Sequence, residues 1–219
     1  MAQEHQVWDL GPGWSTISAH HDLSFTLWFT GLPGSGKTTL ARLLKQALAV
    51  RGYKTEIIDT PTLSKWLNLE LHVEEEIRED RSHTPGYDAF TTYICTLLAR
   101  NDIITITSSV SPYAEARSYA REQISQFVEV YLHCPEDLRQ KRIEQGEITL
   151  SIAPHLYQPP DTPELSIDTS GELPERSALR VMCYLEQYGL ITPRWAEMNR
   201  ENEQVAIIKA RLRALGYLD

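Results

Sequence analysis

The sequence lacks the features that mark several large classes of protein. Its 219 residues hold only three cysteines, Cys95, Cys134 and Cys183, and no two are spaced as a CxxC pair. This scarcity argues against a zinc site or a disulfide framework and favours a reducing compartment. No apolar run reaches the ~18 residues of a membrane span, and the first residues lack the pattern of a signal peptide. We therefore expect a cytoplasmic protein.

Positive charge is also scarce. The chain has 21 Lys+Arg against 30 Asp+Glu, a formal net charge of −9, and its seven histidines show no metal-ligand spacing. Such a surface repels nucleic-acid backbones and anionic lipids, so we expect neither nucleic acid nor a membrane as a partner. A phosphate-binding site in this chain must be built locally, from a few residues.

The remaining composition is that of an ordinary globular protein. With 42% hydrophobic and 23% charged residues, a chain of this length predicts one main domain. We divide it into an N-terminal arm at 1–24, a main domain at 25–190 and a helical C-terminal tail at 191–219. The arm is assigned because it is polar and interrupted by Gly11-Pro12-Gly13.

Strand-like and helix-like segments alternate along the main domain. β-favouring runs predict strands at 25–30, 55–59, 102–107 and 127–133, and helical patterns fall at 38–51, 88–100 and 112–126. This alternation predicts an α/β fold with a parallel sheet covered by helices on both faces. Prolines predict an ordered loop over 149–175 with a further strand near 165–167, followed by helices at 176–189 and 194–215.

A phosphate-binding motif lies between the first predicted strand and the first predicted helix. In such glycine-rich loops successive backbone N–H groups converge on phosphate oxygens, and the helix N-terminus adds partial positive charge. The motif G-x-x-x-x-G-K-[ST] is matched by Gly31, Leu32, Pro33, Gly34, Ser35, Gly36, Lys37 and Thr38, with Thr39 next in the helix.

The motif assigns roles to its residues and refines the fold class. Lys37 is predicted to reach the outer phosphates and to act in catalysis, and the Thr38 hydroxyl is predicted to bind Mg²⁺. We therefore expect ATP and Mg²⁺ as cofactors and a P-loop NTPase-type three-layer fold. The alternative, a glycine-rich turn with an exposed lysine, is disfavoured because the flanking strand and helix both fit the motif.

Asp59 is the candidate acid of the site, because it ends the second predicted strand. Ligands of open α/β sheets bind beyond the carboxyl ends of the strands, where an acid can hold Mg²⁺ or accept a proton from an attacking hydroxyl. The alternative is a helix N-cap before Thr60-Pro61. The third strand ends in Thr107-Ser108 instead of an acid, so Asp59 is the leading metal or base candidate.

Together these residues resemble the adenylyl-sulfate kinase (APS kinase) family, which transfers the γ-phosphate of ATP to the 3′-hydroxyl of adenylyl sulfate. Segment 25–41 is similar to the family's opening, and the similarity extends to about residue 190. Later segments keep the family's order: Val110-Ser111-Pro112-Tyr113 with Arg117 and Arg121, Phe127–Tyr131, Pro135 with Arg142, Gly146-Glu147-Ile148, and Tyr157 to Thr169.

The resemblance implies further site residues and a role in sulfate assimilation. It implies that Arg142 contacts the nucleotide and that the acceptor is bound by Arg81, Ser111, Pro112, Tyr113 and Arg117. It also suggests a homodimer. Two of these roles have an alternative that stays open. Pro112 could instead begin a helix that carries Arg117 on its surface, and Arg142 could instead pair with a surface acid such as Glu144.

Departures from the family concentrate in the acceptor half. Only Asp59 remains of the family's D-G-D-N-x-R, Thr84–Tyr87 replace N-I-R-R, and only 143–145 stand where a basic lid is expected. F-T-G-I-D is also absent. We therefore expect weak adenylyl-sulfate binding, and keep open a different, less anionic acceptor or a catalytically weak nucleotide-binding regulatory protein. A switch GTPase is disfavoured because N-K-x-D and a strand-end D-x-x-G are missing.

Overall fold

The computed structural model describes residues 24–59, 62–63, 85–145 and 154–194, together with 205, 208 and 209. Within these ranges the strands are β1 (Thr26–Thr30), β2 (Thr55–Asp59), β3 (Ile104–Ser108), β4 (Phe127–His133) and β5 (Leu165–Asp168). The α-helices are α1 (Lys37–Val50), α2 (Pro85–Ala99), α3 (Ala114–Gln123), α4 (Glu136–Gln145) and α5 (Pro174–Gln187). Residues 1–23 of the predicted arm and most of the predicted tail lie outside the described residues.

The five strands form one parallel sheet in the order β2-β3-β1-β4-β5. Every residue of β1 and β3 is buried, as expected of central strands covered on both faces. The predicted α/β fold with a parallel sheet is therefore confirmed. Because β1 lies between β3 and β4, the carboxyl ends of these three strands meet at the centre of one edge of the sheet.

The two faces of the sheet are covered by different helices. Leu40, Leu44 and Leu48 recur every four residues on α1 and pack with α5 against one face, where Phe29 of β1 also points. Trp28, the preceding residue of β1, points to the opposite face and packs with α2 and α3. The sheet therefore divides the core into two clusters.

Helix α4 was not expected from the sequence. Its residues are polar on nearly every side, so the helical spacing of apolar residues is missing, and its buried residue is the charged Arg139. Strand β3 begins at Ile104 instead of the predicted residue 102, because Asp102 lies in a turn with a φ of 55°. The strand predicted near 165–167 is present as β5, and a short 3-10 turn, Pro154–Leu156, precedes it.

No helix in the described part of the chain is both long and apolar enough to cross a membrane.

Candidate active site

The phosphate loop, residues 31–38, follows β1 and continues into α1. Gly31, Gly34 and Gly36 have φ values of 146°, 81° and 94°, which favour glycine. A Cβ atom at Gly31 would lie 2.2 Å from the carbonyl oxygen of Leu132, and one at Gly34 would lie 2.8 Å from that of Arg139. The loop therefore needs glycine at both positions, because the backbone of Leu132 and Arg139 packs directly against it.

Lys37 lies inside the phosphate loop. Its Nζ donates hydrogen bonds to the carbonyl oxygens of Gly31 at 2.7 Å and Leu32 at 3.0 Å, and to Ser35 Oγ at 3.4 Å. Burial, and secondly the Arg139 guanidinium, lower the pKa of Lys37 to about 7. With 8% of its surface exposed, Lys37 is not the surface lysine of the alternative interpretation.

Two arginines of α4 and one threonine support the loop from behind. Arg139 Nη1 donates to the carbonyl oxygen of Pro33 at 3.1 Å. Arg142 Nη1 donates to the carbonyl oxygen of Gly34 at 3.3 Å and to Thr169 Oγ1 at 3.0 Å. Thr169 Oγ1 in turn donates to the carbonyl oxygen of Ser35 at 3.0 Å.

The position of Arg142 bears on both interpretations of that residue. Its guanidinium lies 3.9 Å from where a Cβ of Gly36 would be, so it flanks the phosphate loop as a nucleotide contact requires. The hydrogen bonds described for it go to Gly34 and Thr169, and not to Glu144. Sequence reasoning missed Arg139, whose helix lacks an apolar pattern, and noted Thr169 without giving it a role.

Oxygen-bearing side chains gather at the ends of β2 and β3, next to the loop. Thr38 Oγ1 lies 3.0 Å from Ser108 Oγ, and Asp59 pairs in register with Ser108 across the two strands. Asp59 Oδ1 accepts a hydrogen bond from the Thr62 N–H at 2.7 Å, so the capping interaction of the alternative interpretation is present. A carboxylate has further lone pairs, and hydroxyl and carboxylate oxygens suit Mg²⁺ bound beside phosphates.

Among the described residues there is no cluster of three or more His, Cys, Asp or Glu that could hold a metal ion.

Residues 109–113, called the acceptor loop because the family resemblance implies that the acceptor binds there, connect β3 to α3 and touch the start of the phosphate loop. The Val110 carbonyl oxygen accepts hydrogen bonds from Thr30 Oγ1 at 2.7 Å and from the Gly31 N–H at 3.4 Å. Tyr113, which is half-buried, is the N-cap of α3. Pro112 therefore lies before the helix and is not its first residue, which corrects that alternative.

Arg117 is buried beneath the acceptor loop, with 3% of its surface exposed. Its Nε donates to Glu129 Oε1 at 2.8 Å, its Nη1 to the Ser111 carbonyl oxygen at 2.8 Å, and its Nη2 to the Gln158 carbonyl oxygen at 2.7 Å. The surface-arginine alternative is therefore wrong. Each of the three guanidinium nitrogens donates a hydrogen bond within the protein, and burial leaves little of the group accessible to an acceptor.

Ser111 is also buried and engaged. Its Oγ accepts a hydrogen bond from Trp28 Nε1 at 3.1 Å and donates one to Asp88 Oδ2 at 2.9 Å. Burial raises the pKa of Asp88 to about 7, although the Ser111 hydrogen bond and the Arg117 charge both lower it. Sequence reasoning missed Asp88, because one acid in a helix carries no signal that its position is buried. Arg81 lies outside the described residues.

A segment after the 3-10 turn closes this end of the sheet. Tyr157 Oη lies 3.0 Å from Thr30 Oγ1, and its ring stacks on Tyr131 with centroids 6.2 Å apart. Gln158 Oε1 accepts from the Ala114 N–H at 2.9 Å, and the Gln158 N–H donates to the Pro112 carbonyl oxygen at 2.9 Å. Gln158 therefore holds the end of the acceptor loop, while Tyr157 contacts Thr30 at the end of β1.

Known proteins are similar to this chain in sequence. Residues 23–168 match the family model described as adenylylsulphate kinase. A probable adenylyl-sulfate kinase of Pyrococcus abyssi is 36% identical over 176 residues, covering 76% of this chain and 98% of that protein. An adenylyl-sulfate kinase of Halothermothrix orenii is 35% identical over 175 residues, covering 76% and 91%.

A solved structure agrees with these relatives. The Mycobacterium tuberculosis APS kinase in complex with AMPPNP and APS superposes with a TM-score of 0.61 at 28% identity, covering 74% of this chain and 98% of that one. The comparisons confirm the resemblance that the motifs indicated, and the P-loop fold class.

Proposed function

This chain belongs to the adenylyl-sulfate kinase family, and we propose that it transfers the γ-phosphoryl group of ATP to a hydroxyl of a small, nucleotide-like acceptor. As a small-molecule kinase of this family it has adenylyl sulfate as the first acceptor to test. The observation that carries the proposal is the direct contact between the two loops, through Val110, Thr30 and Gly31. Phosphoryl transfer requires donor and acceptor sites to adjoin in this way.

The donor site is assigned to the phosphate loop and its neighbours. Residues 31–39 and Arg142 would hold ATP, and Thr38 and Asp59, joined by Ser108, would hold Mg²⁺. When bound, Mg²⁺ neutralises charge on the phosphate oxygens. Lys37, which donates to loop oxygens in the structure, would exchange these for the outer phosphates and stabilise the negative charge that develops during transfer.

The acceptor site is assigned to the facing loop. Tyr113 would pack on the acceptor base. Asp59 is the candidate both for holding Mg²⁺ and for accepting the proton of the attacking hydroxyl. Ser111 and Arg117 are buried, so we assign them to holding the acceptor loop. Pro112 shapes the same loop, and Arg81 stays a candidate for direct contact with the acceptor.

The direct test is ADP release by the purified full-length protein with ATP and Mg²⁺, in the presence and absence of adenylyl sulfate. We expect ADP release to depend on adenylyl sulfate and to yield the 3′-phosphorylated product, identified by mass spectrometry. The Lys37→Ala variant is the control for contaminating kinases. Nucleotide binding without ADP release, for any acceptor, would instead support a nucleotide-binding regulatory protein.

A different, less anionic acceptor is the second candidate. It is favoured because the family's N-I-R-R is replaced at 84–87, while Arg117 is neutralised by Glu129 at 2.8 Å. Each missing charged hydrogen bond would withhold about 1.5–3 kcal/mol, so losing two or three would weaken acceptor affinity by several orders of magnitude. Steady-state kinetics over a panel of nucleotides and hydroxylated metabolites tests this idea. Efficient turnover at micromolar adenylyl sulfate would refute it.

Two further expectations concern the whole molecule. We propose a homodimer by analogy with the family. The molar mass from light scattering coupled to size-exclusion chromatography would test this proposal. The cytoplasmic location inferred from the cysteine content stays a prediction.

A further inference from the structure

Ser111 has a backbone conformation that side-chain-bearing residues rarely adopt. Its φ is 43°, in the left-handed region, and it is neither glycine nor asparagine. Such a conformation costs free energy and persists only where the surroundings enforce it, which occurs most often at functional sites. The surroundings of Ser111 therefore need an explanation.

Side chains from three elements enforce this conformation. The Ser111 carbonyl oxygen accepts hydrogen bonds from Arg117 Nη1 of α3 and Thr30 Oγ1 of β1, at 2.8 and 3.2 Å. Its hydroxyl joins Trp28 Nε1 of β1 to Asp88 Oδ2 of α2. Within this set Asp88 is the partner that accepts the Ser111 proton, so it fixes the direction of the Trp28–Ser111–Asp88 hydrogen-bond chain.

The Trp28–Ser111–Asp88 hydrogen-bond chain lies next to the proposed donor site. Val110, which precedes Ser111, accepts hydrogen bonds from Thr30 Oγ1 and from the Gly31 N–H at the start of the phosphate loop. Rotation of Ser111 would move the Val110 carbonyl and the Pro112-Tyr113 end of the acceptor loop together. The separation of the donor and acceptor loops therefore depends on the Ser111 conformation.

We propose that Asp88 is a positioning residue for phosphoryl transfer, whose carboxylate holds Ser111, and with it the acceptor loop, against the phosphate loop. The hydrogen-bond chain itself stands on the geometry, whereas its effect on transfer rests on the proposed function. Asp88 touches neither ATP nor the acceptor in this proposal, because only 1% of its surface is exposed.

The strength of this hold depends on the charge of Asp88. Among the described residues the charged group that faces Asp88 is Arg117 of α3, itself paired with Glu129 of β4, and strands β1 and β3 carry no Asp, Glu, His, Lys or Arg. Because the pKa of Asp88 is raised to about 7, the group is ionised above neutral pH and protonated below it. A carboxylate accepts the Ser111 hydrogen bond more strongly than a protonated acid does.

The first experiment follows the Trp28 indole N–H by ¹⁵N NMR between pH 5.5 and 8.5. We expect a titration step near pH 7 in the wild-type protein, because ionisation of Asp88 polarises the Ser111 hydroxyl that receives the indole proton. The step should vanish in Asp88→Asn and in Ser111→Gly, which tolerates the left-handed conformation. Asp102→Asn, the same change at an exposed residue of positive φ, should keep it.

The second experiment measures kcat/KM for the acceptor at saturating ATP. The free-energy difference between a charged and a neutral hydrogen bond corresponds to about a factor of ten. The kcat/KM of Asp88→Asn should therefore be about tenfold below that of the wild-type protein at pH 8, and under about twofold below it at pH 6. KM for ATP should stay unchanged. Lys37, whose pKa is also near 7, is shared by all variants and cannot produce the difference.

The two experiments test separate parts of the proposal. If the wild-type protein does not phosphorylate adenylyl sulfate, the kinetic experiment fails together with the proposed function. The indole titration still decides whether the Trp28–Ser111–Asp88 hydrogen bonds are present. An indole signal that does not titrate in the wild-type protein would overturn the proposal even if Asp88→Asn cannot be folded. So would an equal loss of kcat/KM at pH 6 and pH 8, which would indicate a merely structural role.

Discussion

Replacing the buried guanidinium of Arg117 separates a supporting role from a ligand-binding role. In Arg117→Met the apolar stem is kept, but Glu129 loses its partner at 2.8 Å, and both side chains are under 10% exposed. Removing one partner of a buried ion pair costs about 3–5 kcal/mol, because the other charge stays buried. Glu129 keeps Arg121 at 3.1 Å, so we expect a loss near 3 kcal/mol in the free energy of unfolding, the lower end of that range.

Urea unfolding followed by circular dichroism measures this loss. The matched control is Lys45→Met, which breaks an exposed ion pair with Glu56 and should cost under about 1 kcal/mol. The double variant Arg117→Met, Glu129→Met should recover at least about 1 kcal/mol, because no uncompensated charge remains at 129. If Arg117→Met kept wild-type stability but lost acceptor binding, Arg117 would contact the ligand and the supporting role would be refuted.

The remaining predictions concern the donor site. Lys37→Ala should lower the transfer rate at least about a hundredfold with little change in melting temperature, and wild-type turnover would remove the phosphate-loop assignment. Asp59→Asn should slow single-turnover transfer more than it weakens ATP binding measured by calorimetry. Unchanged values of both would leave Asp59 only its N-cap role. Gly31→Ala should cost about 1–3 kcal/mol in urea unfolding and weaken ATP binding, because its Cβ would meet the Leu132 carbonyl at 2.2 Å. Normal stability and affinity would contradict this packing.

The position of the phosphate loop could be predicted because the residues that form it are local in sequence. A strand, a glycine-rich loop and a helix follow one another within residues 26–50, and the backbone of that segment supplies the loop. The glycine positions, Lys37 and Thr38 can therefore be read from one stretch of sequence. The support behind the loop could not be read in this way, because Arg139 and Thr169 lie more than 100 residues further along the chain and are brought to the loop by the pairing of β4 with β1 and of β5 with β4.

The sequence predicted residues for the acceptor loop but not the contacts that those residues make. The motif drew attention to Ser111 and Arg117, yet it gave no sign that both are buried and hydrogen-bonded within the protein. An arginine in a short polar helix is usually exposed, and the buried Glu129 that reverses this expectation lies on β4. Asp88 was missed for the same reason, because its partner Ser111 is 23 residues away.

The phosphate loop and the acceptor loop are held by largely different parts of the molecule. The phosphate loop is held by backbone carbonyls and by α4 and Thr169, whereas the acceptor loop is held by side chains of α2, α3 and the segment after the 3-10 turn. The two supports share β1, whose Thr30 contacts Val110 and Tyr157. Substitutions in α2 therefore act directly on the acceptor loop, and on the phosphate loop through β1 and the contact between Val110 and Gly31. The sequence departures at 84–87 fall in and just before α2, while every motif residue from 31 to 38 is retained.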